Sequence, residues 1–159
     1  MTEPCDLSAV EARRLIGARR LSPVELLASC RKRIDLVNDA VKGVTDTIWP
    51  RALKEARAAE RAVMRGDDLP ALHGLPLGVK DLDDAAGLIN SYGSPIFAKN
   101  RVKRDDPMVA RCRAAGAVVV GKTNVPEFGA GANSNNAVYG PSGNPFDPAR
   151  IPGGSSGGS

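Results

Sequence analysis

A chain of 159 residues with 42% hydrophobic and 25% charged residues has the composition of a core-forming soluble protein, not of a disordered one. Its aromatic share of 4% argues against single-strand nucleic-acid binding by stacked rings, and no apolar run approaches the roughly 18 residues of a membrane span. The 22 Lys and Arg against 18 Asp and Glu give a formal +4, too mild a balance to imply a polyanionic partner.

The N-terminus lacks the basic start and apolar stretch of a secretory signal, so membrane and secreted classes are not expected. Ser8 with Glu11 three residues on predicts a capping box opening a helix to about Arg19. Ser22-Pro23-Val24-Glu25 repeats the device with proline at the first helical position, and Leu27, Ile34 and Val37 recur at helical spacing as the expected buried face. Val44 to Ile48 is a short strand. Pro50 then opens a third helix ending at Gly66, whose Arg51, Lys54, Glu55, Arg57, Glu60 and Arg61 read as a solvated, ion-paired face. Leu75 to Lys80 is a short apolar segment ending in a lysine and followed by an acidic turn. Asp106-Pro107 predicts a capped helix to Gly116, and Ala117 to Val120 a buried strand. Strand–helix–strand order implies an α/β layer fold with some parallel pairing. From Asn124 onward the chain is dominated by Gly, Pro, Asn and Ser.

Several constellations invite chemistry. Gly116 to Thr123 matches the spacing of a phosphate loop, but three valines stand where an open loop must lie, so an extended strand is expected instead. His73 is the only histidine and has no nucleophile near it in sequence, which makes a structural role the expectation. With one histidine and three widely separated cysteines (Cys5, Cys30, Cys112), neither a zinc site nor a disulfide framework is expected; the thiols fit a reduced, cytoplasmic setting. The pairs Asp83-Asp84 and Asp105-Asp106 are expected in turns and helix caps. The stretch Gly153-Gly-Ser155-Ser156-Gly-Gly-Ser159 has linker composition. By itself it reads as a flexible linker; the alternative is a glycine-dense turn that presents serine hydroxyls, and the non-linker sequence Asn144 to Pro152 before it shifts the weight to the turn. Lys80 alone reads as a surface lysine paired with Asp81. A lysine amine serves as a base only when neutral, a state that burial favours.

The segments His73-Gly-Leu-Pro-Leu-Gly-Val-Lys80-Asp81, Tyr92-Gly-Ser-Pro95, Ala115 to Phe128 and Gly153 to Ser159, in that order, closely resemble the amidase signature family. The similarity runs from about Ser22 to the last residue. It implies the N-terminal part of the amidase signature fold, a mixed β-sheet flanked by helices, incomplete here, with residues 1–66 helical and residues 67–159 a truncated α/β catalytic-core portion of one domain. It also implies a Ser–cis-Ser–Lys mechanism without metal or cofactor, acting on a small-molecule amide. Lys80 matches the family's lysine, and Ser155 matches the bridging serine, whose peptide bond with Gly154 is expected to be cis. Gly129, Ala130, Gly131 and Asn133 match a loop bordering the substrate. Ile89-Asn-Ser91 departs from a segment where the family often carries threonines.

In the family the nucleophilic serine and the oxyanion donors lie downstream of the segment matched by Gly153 to Ser159. The chain is therefore expected to be a truncation, inactive on its own, with a poorly ordered tail that departs from the family geometry. Two alternatives accompany the amidase reading. One is a fragment of the A subunit of a tRNA-dependent amidotransferase, which releases ammonia from glutamine, although Asn133 to Val138 resembles the free-standing amidases more. The other is a non-catalytic remnant or binding module.

Overall fold

The computed structural model describes residues 3–156. After a 3-10 turn at Pro4–Asp6, α1 spans Ala9–Gly17, α2 Pro23–Val41, β1 Val44–Thr47, α3 Trp49–Arg65, β2 Pro76–Lys80, α4 Pro107–Ala114 and β3 Val118–Thr123. The three strands form one mixed sheet in the order β1-β3-β2, with β1 antiparallel and β2 parallel to β3. This is the expected α/β class.

β3 is buried at all six positions, and its valines divide the core between two faces. Val118 and Val120 pack with Leu27 of α2 and with Ala52 and Ala56 of α3. Val119, pointing the other way as strand alternation requires, packs with Val79, Ala85, Leu88 and Val109. A third cluster joins Ala12 and Ile16 of α1 to Leu26, Val63 and Leu75. β1 ties the helical first part of the chain into the same sheet as β2 and β3.

Both serine caps form, to different extents. Ser22 makes the complete box: its Oγ accepts from Val24 N at 2.9 Å, and its own N–H donates to the Glu25 carboxylate at 3.0 Å. Ser8 Oγ accepts from Glu11 N at 3.2 Å, but the Glu11 carboxylate turns to Arg14, and α1 stops at Gly17, short of the expected Arg19. On α2, Leu27 is buried as expected, whereas Ile34 is half-buried and Val37 exposed. The buried positions Leu26, Leu27 and Ser29 all lie in the first half of α2, because the second half runs beyond the core built with α1 and α3. α3 presents Ala52, Ala56, Ala59 and Val63 as one buried stripe and ends on Gly66 in the left-handed conformation. Asp106 precedes α4 without a side-chain capping bond; its carboxylate instead accepts from Asp84 N at 2.7 Å. Among the described residues no helix is long and apolar enough to cross a membrane.

Candidate active site

The phosphate-loop spacing lies on β3, with Val118 to Thr123 extended and buried, so no amide cradle exists there. His73 is buried, its Nε2 3.0 Å from the Ala59 carbonyl oxygen, in the structural role expected of it.

Lys80 is the last residue of β2 and is paired in register with Thr123 of β3. Its amine does not turn to Asp81. Lys80 Nζ donates to Ser155 Oγ at 2.7 Å, across 75 residues of sequence. The peptide bond between Gly154 and Ser155 is cis. Against the expectation of a tail that departs from the geometry the resemblance implies, residues 153–156 carry the cis bond it implies; residues 157–159, including Ser159, lie outside the described residues.

The reason for that placement is local. The loop Ala130 to Ser134 passes directly behind the Gly-Ser turn. A side chain at residue 154 would strike the Ala132 carbonyl and come within 2.9 Å of the Asn133 nitrogen, so glycine alone permits this approach. Ser134 Oγ donates to the Ser155 carbonyl oxygen at 3.3 Å. Ala130, Gly131 and Asn133 form the solvent-facing part of the same loop, and half-buried Gly129 just before it, with φ 73°, sits tightly over Leu82, two residues after Lys80. The loop is held from below. Asn136 Nδ2 donates to Asn124 Oδ1 and to the Val125 carbonyl, both at 2.8 Å, and Asn136 Oδ1 accepts from Val138 N and Tyr139 N.

A buried polar cluster that the sequence reading missed lies beside Lys80. Asp81 and Lys122 are both fully buried, with Lys122 Nζ 3.7 Å from Asp81 Oδ1. The Asp81 carboxylate accepts from Ser91 N at 3.1 Å and from Ser91 Oγ; Lys122 Nζ donates to Asn90 Oδ1 at 2.6 Å and to the Asp83 carbonyl. Burial pushes the Asp81 carboxyl above the ordinary aspartate range and the Lys122 amine below the ordinary lysine range, outweighing their mutual attraction in both cases. The available signal was position: a lysine that continues Val118 to Gly121 without interruption stands in a buried strand, not at its exposed end.

The remaining acids have the turn duty expected of them. Asp84 Oδ1 accepts from Asn90 Nδ2 at 2.7 Å, and Asp105 Oδ1 accepts from Ala86 N at 2.7 Å, so both clamp the loop after β2.

The family model for amidases matches residues 25–159. The chain belongs to the amidase signature family. It is 39% identical over 159 residues to the A subunit of the glutamyl-tRNA(Gln) amidotransferase of Salinispora arenicola, covering 100% of this chain and 32% of that protein. It is 38% identical over 151 residues to the corresponding protein of Koribacter versatilis, covering 94% of this chain and 32% of that one. Among solved structures, a bacterial aryl acylamidase of the amidase signature family superposes with a TM-score of 0.90 at 28% identity, over 96% of this chain and 32% of its own. The peptide amidase of Stenotrophomonas maltophilia gives 0.88 at 31% identity, over 97% of this chain and 33% of its own. The chain spans about a third of the length of the curated relatives it matches.

Proposed function

We propose that Lys80 and Ser155 are the base and the bridging hydroxyl of an amide-hydrolysing relay, and that the protein cleaves a carbon–nitrogen amide bond of a small molecule. The observation that carries this reading is the 2.7 Å hydrogen bond from Lys80 Nζ to Ser155 Oγ. In its neutral form Lys80 takes the Ser155 proton, and Ser155 Oγ takes the proton of an attacking serine. The new oxygen–carbon bond gives a tetrahedral adduct. As the carbon–nitrogen bond breaks, the relayed proton passes to the leaving amine, and water then releases the acyl group as acid. The attacking serine and its oxyanion donors lie outside residues 1–159 in this proposal. Those residues supply the relay and, through Gly129, Ala130, Gly131 and Asn133, one border of the substrate.

A second reading is glutamine hydrolysis as part of a tRNA-dependent amidotransferase. It is favoured by the curated relatives at 38% and 39% identity, which carry that enzyme's name. The sequence Asn133 to Val138 favours a free-standing amidase.

The test is ammonia release from glutamine and from a panel of simple amides, by the protein that carries this chain and by the 159-residue chain alone. Lys80→Ala and Ser155→Ala are each expected to lower turnover by more than about a thousandfold, and the chain alone to release nothing. Retained turnover in either variant overturns the relay. A covalent fluorophosphonate adduct on any serine within residues 1–159 overturns the placement of the nucleophile. Preference for glutamine selects the second reading.

A further inference from the structure

Ser134 is buried, 2% exposed, in a loop whose neighbours Asn133 and Asn135 face solvent. Its hydroxyl donates to the Ser155 carbonyl oxygen at 3.3 Å, and its own carbonyl accepts from Ser142 N at 2.9 Å. Ser142 is fixed in turn. Its Oγ donates to the carbonyl of Lys42, the residue just after α2, at 2.9 Å, and accepts from Asn124 Nδ2 at 3.0 Å. A hydrogen-bonded line therefore runs from exposed Lys42 just after α2 through the buried Ser142 and Ser134 to the backbone of half-buried Ser155. On the other side, Ser155 is met by Lys80 through its hydroxyl.

We infer that Ser134 is a positioning residue, which holds the Ser155 backbone so that its Oγ stays within reach of Lys80 Nζ. The inference rests on the relay reading above. The glycine-dense turn supplies little stiffness of its own, since Gly153 has nothing within 4 Å of where a side chain would stand. Close approach of Gly154 to Ala132 fixes how near the turn can come. It does not fix rotation about the next residue, and the hydrogen bond from Ser134 to the Ser155 carbonyl removes that freedom. A hydroxyl is suited to this duty because one donor satisfies one half-buried carbonyl and leaves no charge beside the lysine.

The experiment needs no turnover. The 159-residue chain is acylated at fixed pH with a water-soluble amine-reactive ester, and the rate at Lys80 is read by mass spectrometry. Ser155→Ala is expected to free the amine and speed its labelling. Ser134→Ala is expected to speed it about fivefold, the net worth of about one hydrogen bond. Ser134→Thr should keep the parent rate, and Ser134→Val, of the same shape without a hydroxyl, should match the alanine variant. If alanine unfolds the chain, the threonine and valine pair carries the test. In the Ser155→Ala background, Ser134→Ala is expected to add nothing, whereas general loosening of the loop would speed labelling there too. A fast Ser155→Ala variant with Ser134→Val at the parent rate overturns the inference and leaves the relay standing. An additive effect in the double variant also overturns the inference alone. No change on Ser155→Ala overturns the relay reading, and the inference with it.

Discussion

Replacing Lys122 by methionine tests how the end of β2 is built. Lys122 and Asp81 are both fully buried, and the amine serves Asn90 Oδ1 at 2.6 Å, the Asp83 carbonyl and, at 3.7 Å, the Asp81 carboxylate. Methionine has nearly the same length and flexibility but no donor. The substitution therefore keeps the packing and leaves one buried carboxylate and two buried carbonyl oxygens without this partner. Removing one member of a buried ion pair costs about 3–5 kcal/mol, against about 0–1 kcal/mol for an exposed pair. At this chain length each kcal/mol lowers the melting temperature by about 2–4 °C, so a fall of roughly 6–20 °C is expected. Urea unfolding followed by circular dichroism at neutral pH, with calorimetry, measures both quantities. The double variant Asp81→Leu with Lys122→Met removes the stranded charge and is expected to recover at least half of the loss. A single-variant loss below about 1 kcal/mol would place the pair in effective contact with solvent and refute the reasoning.

The Asp81 carboxyl also gives the chain a pH dependence of known sign. Because burial holds it above the ordinary aspartate range, the native state keeps this proton to higher pH than the unfolded state does. Its contribution to stability therefore falls as pH rises through that interval. The stability advantage of the parent over Asp81→Asn is expected to shrink as pH rises above the ordinary aspartate range, and an advantage that grows with pH contradicts the assignment. Ser22→Ala loses the cap to Val24 N and a 2.5 Å hydrogen bond to Glu60, so unfolding by urea should show a loss of about 1 kcal/mol. Labelling of Lys80 in that variant should match the parent, since the cap lies at the far end of α2; an unchanged urea midpoint contradicts the prediction.

The elements legible in the sequence are those set by local chemistry. Ser22-Pro23-Val24-Glu25 specifies its own helix start, and Gly66 its helix end, because the deciding hydrogen bonds or dihedrals belong to adjacent residues. The extended state of Val118 to Val120 is equally readable, from β-branched residues bounded by glycines. What could not be read is where polar side chains go when their partners are distant in sequence. Asp106 has the composition of a cap but serves Asp84, and Asp81 stands beside Lys80 but faces Ser91 and Lys122. Strand alternation explains the second case: consecutive residues at a strand end point to opposite sides, so the nearest charge in sequence is a poor candidate for the nearest in space. The link between Lys80 and Ser155 was reachable only through family resemblance, since no periodicity connects a strand end to a glycine-rich turn so far along the chain.

Lys80 and Ser155 share one structural reference point. Lys80 is registered against Thr123, the last residue of β3, and Asp81 N donates to the Thr123 carbonyl at 3.0 Å. The next residue, Asn124, anchors the other half. Its Oδ1 accepts from Asn136 and its Nδ2 donates to Ser142, so it holds both ends of the loop that seats Gly154 and Ser155. Its own backbone N–H donates to the Gly43 carbonyl at 2.9 Å, beside β1. The separation of Lys80 Nζ and Ser155 Oγ is therefore set by short hydrogen-bonded links from adjacent residues of one buried strand end. This explains how so glycine-rich a turn can present a hydroxyl at a fixed distance. Stiffness comes from the side chains of Asn124, Ser134, Asn136 and Ser142, while the glycines supply only the room for close approach.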